Sequence, residues 1–434
     1  MRIMRTYGAN HSRRIFLRRA AGMVGVAAAV MVVPGRALGL DGAIAPNEKI
    51  QLGAIGIQHR GSYVLEFFLS QPDVRFRAIA DVQRAQQLRI RDRVDQLYGS
   101  SETETYQDFR ELLQRDDIDA VLIATGDRWH ATASAFAARA GKDVYSEKPC
   151  ALTIEQCGQL AETMRRTGRI FQGGTQRRSV ENFRAAVRLA RSGRLGAIKT
   201  VHASIYYLSQ RTDWYPEQPL PAKSELDWDL WLGPAPWRPY NPAYVGSATQ
   251  FADWRGHYDF DSGARHLDWG AHTVDLCQWA VGEDGNTPVR YWAEGDRMYA
   301  DYASGVRLVM RPDGWMGLGT CPVRFEGEEG WVEAGDSGRI VVSSPALRKE
   351  IYGLNAIEGT DPAHHVRNFL DCVKSRVQPV CNADVIRSSH VACHASALSW
   401  ILGRELTFDP QTETFNDDEA NRLRCRTPRG PWTI

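Results

Sequence analysis

The stretch that decides the fold is GAIGIQHRGS, residues 53–62, which joins a strand-like segment to a helix-like one. The apolar segment 50–55 leads into Gly56, and Gly61 opens the helix-like run SYVLEFFL. A strand, a glycine turn and a helix in this order are typical of the first unit of a dinucleotide-binding domain. Gln58 stands where the usual G-x-G-x-x-G pattern has its middle glycine, so the turn departs from that pattern.

The fold class follows from how apolar segments alternate along the chain. From Lys49 to about Pro149, short apolar strands alternate with amphipathic helices, as in βαβ units that build a doubly wound parallel sheet. After Ile198, short β segments are separated by Gly, Pro and Asp, which predicts a mostly antiparallel sheet. We therefore expect an α/β protein with an N-terminal Rossmann domain at 48–175. A C-terminal α/β domain with an open sheet and C-terminal helices is expected at 176–434.

Two further segments carry specific expectations. RIFQGGTQRRS, residues 169–179, is predicted to be a strand.

The Trp- and Pro-rich insertion Thr212 to Tyr258 is too long for a passive connection, and we expect it to form a wall of the active cleft. Indole faces in a cleft often stack on sugar rings, although buried packing is the alternative for each of them. The candidates for a sugar-facing wall are Tyr206, Trp214, Trp228, Trp231 and Trp237.

The composition excludes several classes of partner. The 434 residues include 53 Lys plus Arg against 52 Asp plus Glu, so charge gives no reason to expect nucleic acid or an anionic membrane. The 8 cysteines show no close CxxC pairing, and no zinc site follows. Buried free thiols are expected, with disulfides as the alternative.

Residues 1–39 look like a twin-arginine export signal. The run SRRIFLR places paired arginines before an apolar segment at 20–33, and small residues at 36–39 offer a cleavage site. The apolar segment is shorter than the roughly 20 residues needed to cross a bilayer, so no stable membrane span is expected. We therefore predict export to the periplasm by the twin-arginine machinery, with an uncleaved signal as the alternative.

Asp81 favours NAD as the cofactor. It ends the predicted strand VRFRAIAD, about twenty residues after the glycine turn, where a carboxylate can accept hydrogen bonds from an adenosine ribose. The same carboxylate would repel a 2′-phosphate, so NAD is predicted over NADP, and Arg84 is the feature that keeps NADP open. The alternative is that Asp81 only caps a turn.

Lys148 is the first catalytic candidate. It lies in Ser146-Glu147-Lys148-Pro149, at the end of a predicted strand and therefore at the edge of a doubly wound sheet where ligands bind. A lysine there can help a substrate hydroxyl to lose its proton. Solvation at the surface is the alternative.

Asp268 and His272 form the second catalytic candidate. Being four residues apart, they share one face of a predicted helix. A carboxylate and an imidazole on one face can position a hydroxyl and exchange its proton. A metal site is the alternative, but no cysteine or HExxH partner accompanies them, so none is predicted.

Taken in order, these motifs resemble the glucose-fructose oxidoreductase, inositol dehydrogenase and MocA family. The resemblance rests on the glycine turn, Asp81, Ala124-Thr125 followed by Trp129-His130, Glu147-Lys148-Pro149, the 174–178 segment GTQRR, and Asp268-x-x-x-His272. It implies a Rossmann domain, a second domain whose open sheet supports homo-oligomers, and oxidation of polyols, sugars or their derivatives. It also implies that Lys148 assists proton transfer, that His272 is the acid-base partner, and that Asp268 orients substrate or His272.

The resemblance also assigns binding residues. The cofactor-binding set is Gly56, Ile57, Gln58, Arg60, Gly61, Asp81, Thr125, His130, Glu147, Lys148 and Gln176. The candidate substrate-binding residues are Arg177 of the GTQRR segment and, apart from the resemblance, Trp214 of the aromatic wall with His257 and Arg265 as extra hydroxyl-binding candidates. Gly126 stands where many relatives have proline. Gln58 implies a shifted loop, a side-chain hydrogen bond to the cofactor, or reduced affinity.

Three functions remain open from the sequence. The first is an NAD-dependent oxidoreductase that oxidises a ring hydroxyl of a sugar or cyclitol. The second is an NAD-retaining hydrolase, lyase or epimerase that works by transient oxidation. The third is a non-catalytic sugar-binding protein on the same scaffold, which Gln58 suggests and the intact Lys148, Asp268 and His272 oppose.

Overall fold

Six parallel strands form the N-terminal sheet, in the order β3-β2-β1-β4-β5-β6. The computed structural model describes residues 44–246, 252–351 and 360–434. In chain order the elements are β1 (Ile50–Ile55), α1 (His59–Leu69), β2 (Val74–Ala80), α2 (Arg84–Tyr98), β3 (Glu104–Tyr106), α3 (Phe109–Leu113), β4 (Ala120–Ile123), α4 (Asp127–Arg139), β5 (Asp143–Ser146), α5 (Ile154–Thr167) and β6 (Phe171–Gly173). This order confirms the predicted doubly wound Rossmann sheet.

Both faces of this sheet are covered, which explains why its central strand is apolar throughout. In β4, Val121 and Ile123 pack against α3, α4 and α5 on one face. Ala120 and Leu122 pack against α1 on the other face. Because successive side chains point to opposite faces, a strand buried on both sides has no polar positions.

A nine-stranded sheet forms the C-terminal domain, in the order β13-β12-β11-β7-β10-β9-β8-β14-β15. Its strands pair antiparallel except β7 with β10, which run parallel. The elements are α6 (Glu181–Arg191), β7 (Ile198–Ile205), α7 (Trp228–Leu232), α8 (Pro242–Val245), α9 (Leu267–Val281), β8 (Arg290–Glu294), β9 (Arg297–Asp301), β10 (Arg307–Pro312), β11 (Val323–Gly327), β12 (Trp331–Ala334), β13 (Ile340–Val342), α10 (Pro345–Arg348), α11 (Ala363–Ser375), α12 (Ala383–Leu402), β14 (Leu406–Asp409), β15 (Thr414–Phe415) and α13 (Asp418–Arg422). The mostly antiparallel sheet was predicted, whereas α6, β11, β12, β14 and β15 were not.

The predicted strand 169–179 is wrong beyond its first half. The strand ends at Gly173, and Gln176–Ser179 form a 3-10 turn. Arg177 and Arg178 leave the strand direction because their guanidinium groups join buried ion pairs with Asp336 and Asp275 of the second domain.

Helix α11 returns to the first domain. Val366, Phe369 and Leu370 are buried in the core cluster that contains Phe68 of α1. Segment 363–375, which the sequence assigned to the second domain, therefore completes one face of the Rossmann sheet.

The predicted signal, residues 1–39, lies outside the described residues. Within the described ranges, none of the helices has both the length and the apolar character needed to cross a membrane.

All 8 cysteines are free, and of these Cys425 is the exposed one.

Candidate active site

A cavity of about 630 Å³ lies at the carboxyl ends of the parallel strands. Gly56 after β1, Asp81 after β2, Thr125 after β4 and Lys148 after β5 line it from the first domain. Asp268 of α9 lines it from the second domain. The cavity therefore opens where the strand order reverses between β1 and β4, which is where doubly wound sheets bind ligands, and its size is that of a ligand site.

The glycine turn is built for close contact with a ligand. Gly56 has φ +68°, and a Cβ there would overlap the Thr125 side chain. A Cβ on Gly61 would lie 2.8 Å from Ala124 Cβ, so Gly61 lets α1 approach β4. Helix α1 has no side-chain cap from Gln58, and its first turn lines the cavity. An uncapped helix N-terminus facing a cavity attracts an anion, and the pyrophosphate of a dinucleotide fits there.

Gln58 forms part of the cavity wall and leaves the cavity open beside it. Its side chain is half-buried. The departure from the glycine pattern therefore leaves a cavity of about 630 Å³ at this turn.

Asp81 faces the cavity with a carboxylate that the backbone already holds in place. Its Oδ2 accepts from the main-chain N–H of Ile57 at 3.2 Å, and its Oδ1 accepts from that of Gln83 at 2.9 Å. Burial raises the pKa of Asp81 to about 7, against the opposing effect of these two N–H groups and of Arg89. Each carboxylate oxygen keeps a lone pair for a ribose hydroxyl. Ile57 contributes through its backbone, since its side chain is buried away from the cavity.

Lys148 and Asp268 meet across the two domains. The Lys148 ammonium donates a hydrogen bond to the main-chain oxygen of Asp268. Burial lowers the pKa of Lys148, and the charge of Asp268 opposes this effect. The structure thus brings together two of the three predicted catalytic residues and reduces the proton affinity of the lysine.

The Asp268 side chain is held by two arginines. Its Oδ1 accepts from Arg255 Nε at 3.2 Å and its Oδ2 from Arg265 Nε at 3.1 Å. Burial acts to raise the pKa of Asp268, but Arg255, Lys148 and Arg265 together hold that pKa below its usual value. The carboxylate is therefore ionised and fixed in position.

His272 lies one turn further along α9 and is not part of the cavity lining. Its imidazole is buried, and Nδ1 has no hydrogen-bond partner among the described residues. Burial, together with the positive charges of Arg177 and Lys148, lowers the pKa of His272 well below its usual value. The imidazole is neutral at physiological pH, and its acid-base role stays a prediction.

Three predicted cofactor residues lie behind the lining. Glu147 Oε1 accepts from Arg60 Nε at 3.3 Å, and the Gln176 amide oxygen faces Arg60 Nη2 at 2.8 Å. His130 Nδ1 lies 2.6 Å from the main-chain oxygen of Pro149. Burial lowers the pKa of His130 to about 4. These residues position Arg60 and the loop that carries Lys148, whereas Arg60 itself lines the cavity.

Of the four predicted substrate residues, Arg265 lines the cavity and the other three do not. Arg177 is buried in a two-bond ion pair with Asp336, at 2.8 and 2.6 Å. His257 is fully buried beside Arg238, and Trp214 is 53% exposed. These three residues lie outside the lining, and their contact with substrate stays a prediction.

Sequence reasoning missed part of the lining. Arg128, Trp254, Arg255 and Trp269 line the cavity together with the predicted wall residues Tyr206 and Trp231. Trp228 does not line the cavity but stacks on Trp231 from behind, with 4.6 Å between the ring centres, and Trp237 is exposed. Trp254 and Arg255 lie on irregular backbone, which has no period, whereas Arg128 and Trp269 lie in the first turns of α4 and α9, where an apolar pattern does not show which ends face a cavity.

Residues 223–234, here called the strap, lie across the Asp81 end of the cavity. The main chain of the strap bonds to the strand end after β2: Asp227 N–H donates to Val82 O at 3.0 Å, and Glu225 O accepts from Arg84 N–H at 2.9 Å. On α4, Trp129 Nε1 donates to Leu230 O at 2.9 Å. Part of the Trp-rich insertion thus belongs to the cofactor end of the cavity rather than to the substrate end.

Comparisons with known proteins agree with this geometry. Residues 50–175 match the model "Oxidoreductase family, NAD-binding Rossmann fold", and residues 204–434 match "Oxidoreductase family, C-terminal alpha/beta domain". An alpha-N-acetylgalactosaminidase of Shewanella oneidensis is 36% identical over 173 residues, which cover 36% of this chain and 38% of that protein. A glycosyl hydrolase family 109 protein of a Shewanella species is 38% identical over 177 residues, with the same coverage. The chain therefore aligns with well under half of the length of these relatives.

Solved structures show the same fold at low identity. An aldose-aldose oxidoreductase from Caulobacter crescentus has a TM-score of 0.60 and 17% identity, covering 83% of this chain and 100% of the other. A scyllo-inositol dehydrogenase from Lactobacillus casei, solved with NAD(H) and scyllo-inositol, has a TM-score of 0.56 and 17% identity, covering 83% and 99%. The chain belongs to the glucose-fructose oxidoreductase, inositol dehydrogenase and MocA family of oxidoreductases, and its N-terminal domain is an NAD-binding Rossmann domain.

Proposed function

We propose that this protein oxidises a ring hydroxyl of a sugar, a cyclitol or a derivative, with NAD as the cofactor. The observation that carries the proposal is the Lys148 ammonium held at the main-chain oxygen of Asp268, inside the cavity that Asp81 and the glycine turn also line. A proton-accepting group and a dinucleotide site in one cavity are the two requirements of this reaction.

The chain's own residues orient the substrate and move a proton. When bound, NAD supplies the hydride acceptor. Burial lowers the pKa of Lys148, so its ammonium can release a proton to solvent, and the neutral amine then accepts the proton of the substrate hydroxyl at Nζ. Tyr206, Trp254 and Trp269 provide flat apolar surfaces along the wall on which a sugar ring can stack. Most of the rate enhancement would then come from orientation.

A second candidate is redox-neutral cleavage or epimerisation with NAD retained through the cycle. The strap favours it, since residues 223–234 cover the Asp81 end of the cavity and would slow release of the adenosine half. The names of the partial relatives, which include glycosidases, support the same chemistry.

Retention would also suit an exported protein, and we propose that residues 1–39 direct twin-arginine export to the periplasm, where free NAD is scarce. The open C-terminal sheet is proposed as the surface for homo-oligomer formation.

One purified sample tests these alternatives. The protein is denatured and any released nucleotide is identified and counted per protomer, which tests cofactor type and retention together. The undenatured protein is then incubated with a panel of free sugars, cyclitols and aryl glycosides. Net formation of reduced cofactor supports oxidation, whereas aglycone release without it supports redox-neutral cleavage. Sugar binding with neither reaction would instead identify a non-catalytic binding protein.

A further inference from the structure

We propose that the substrate is an acidic sugar, and that Arg255 and Arg265 bind its carboxylate beside Lys148. This inference names the substrate class for the proposed function and rests on it. The two residues are called the arginine pair below.

The arginine pair has donors left over at the cavity. Each guanidinium gives its Nε–H to Asp268, at 3.2 Å from Arg255 and 3.1 Å from Arg265. Within the described part of the chain, the Nη groups of both residues make no further hydrogen bond, and both residues line the cavity. Two forks of N–H donors are therefore available to a ligand.

Aromatic rings fix the direction of these forks. The Arg265 guanidinium carbon lies 4.0 Å from the centre of the Tyr206 ring, and that of Arg255 lies 4.4 Å from the Trp254 ring. Tyr206 and Trp254 line the same cavity. Stacking on one side and Asp268 on the other hold each guanidinium plane before a ligand arrives, which reduces the entropy lost on binding.

The charges in this part of the cavity do not balance. Lys148, Arg255 and Arg265 share a single lining carboxylate, that of Asp268. Asp127 and Asp261 lie behind the lining and also act on Arg255, but burial raises the pKa of both carboxyls, so they offset its charge less than Asp268 does. The other nearby lining carboxylate, Asp253, is bound to Arg211 and Tyr215. A neutral sugar needs hydroxyl partners but no net positive charge, whereas a planar carboxylate matches an arginine fork with two parallel hydrogen bonds.

The cofactor does not account for the arginine pair. The N-terminus of α1 and Arg60 lie on the glycine turn, where the pyrophosphate fits. Arg255 and Arg265 come instead from the second domain, next to Lys148 and Asp268. Substitution of either arginine should therefore leave NAD binding nearly unchanged.

The test is calorimetric titration of the NAD-loaded protein with matched sugars. D-glucuronate and D-galacturonate are compared with D-glucose and D-galactose, and glucose 6-sulfate is the probe for a different oxyanion. We expect the uronates to bind about 10-fold or more tightly than the neutral sugars, as a charge-assisted bidentate pair allows. Arg265→Gln should reduce that preference to about 3-fold or less.

Arg324→Gln is the matched control. Arg324 is 25% exposed, as Arg265 is, and it pairs with Glu333 at 2.8 Å and lies over the Trp331 ring at 4.3 Å, but it does not line the cavity. The Arg324→Gln variant should keep the uronate preference. If Arg265→Gln does not fold, Arg255→Gln is the test variant in its place. Equal binding of neutral sugars and uronates, preference for the sulfate ester, or a selective loss of NAD binding in the variants would overturn the inference. Arginine-dependent uronate binding without any turnover would instead leave the inference standing and refute the proposed function.

Discussion

At the scale of single residues, the site depends on side chains whose charge is set by their neighbours. Lys148 is half-buried next to Asp268, so its pKa is lowered while its ammonium still has an acceptor. Asp268 is held ionised by three cations. The same residue types on the surface would have ordinary proton affinities and no fixed orientation.

We predict that Lys148→Ala lowers kcat by about 10²-fold or more, because the substrate hydroxyl loses its proton acceptor. The measurement is steady-state turnover, with circular dichroism to check folding and nucleotide content to check the cofactor site. Lys142→Ala is the control, since the Lys142 ammonium bonds to Ile118 O at 2.9 Å outside the cavity. Unchanged turnover would remove Lys148 from the mechanism.

We predict that Asp81→Ala weakens NAD binding by about 10-fold and reduces discrimination against NADP. The ribose loses its side-chain acceptor, and a 2′-phosphate is no longer repelled by the ionised form of Asp81. Because Ile57 and Gln83 also lose their acceptor, Asp81→Asn is measured beside it as the more conservative change. Titration of the nucleotide-free protein with both cofactors gives the two affinities, and identical NAD affinity in all three proteins would contradict the ribose assignment.

At the scale of elements, the strap is the segment that covers the cofactor end of the cavity. Its two ends bond to different parts of the chain: Leu226 forms an antiparallel bridge with Gln83, and Gly233 O accepts from Arg429 Nε at 3.1 Å. A segment tied at both ends opens less often than a loop with free edges. The strap should therefore govern how long the cofactor stays bound.

We predict that Gly233→Ala shortens cofactor retention. Gly233 has φ +55°, and a Cβ there would overlap the Trp129 indole, so the strap must move outward. Gly403→Ala is the control for a positive φ without a steric overlap, because Gly403 has φ +63° with nothing within 4 Å of a Cβ. The readout is NAD per protomer after prolonged dialysis. Equal retention in the two variants would show that the strap does not hold the cofactor.

At the scale of the whole molecule, the chain crosses back between its domains. Helix α11 follows the second sheet in sequence but packs on the Rossmann sheet. Asp73, which precedes β2, accepts from Arg367 Nη1 at 2.8 Å and from Nη2 at 2.9 Å, and also binds Lys374. This ion pair ties the returning helix to the first domain.

We predict that Asp73→Asn lowers the free energy of unfolding by about 1 kcal/mol at pH 7, a modest value because water screens the half-exposed cations. Burial opposes ionisation, but Arg367 and Lys374 hold the pKa of Asp73 at about 2, below the ordinary 3.8. Because the pKa of Asp73 is lower in the folded than in the unfolded protein, ionised Asp73 stabilises the fold at pH values above the unfolded-state pKa. This contribution is therefore fully present above about pH 4 and is lost as the pH falls towards 2.

Urea titrations of wild type and variant from pH 7 down to about pH 3 measure this contribution. The difference between the two proteins should shrink across the acid end of that range. Asp371→Asn is the control, because Asp371 binds the same Arg367 from within α11 and is 63% exposed. A difference that does not change with pH would refute the electrostatic explanation.

The sequence by itself determined the Rossmann sheet and the positions of Gly56, Asp81 and Lys148 at its carboxyl edge. These follow from local periodicity, because alternating apolar strands and helices fix the strand ends and hence the binding edge. The sequence also placed Asp268 on a helix, since spacing alone defines a helix face. Only the tertiary structure decided which distant groups meet. The strap and the return of α11 join residues far apart along the chain. The arginine pair lies close to Asp268 in sequence, but Arg255 and Arg265 precede the helix, where the backbone has no period that predicts the direction of a side chain.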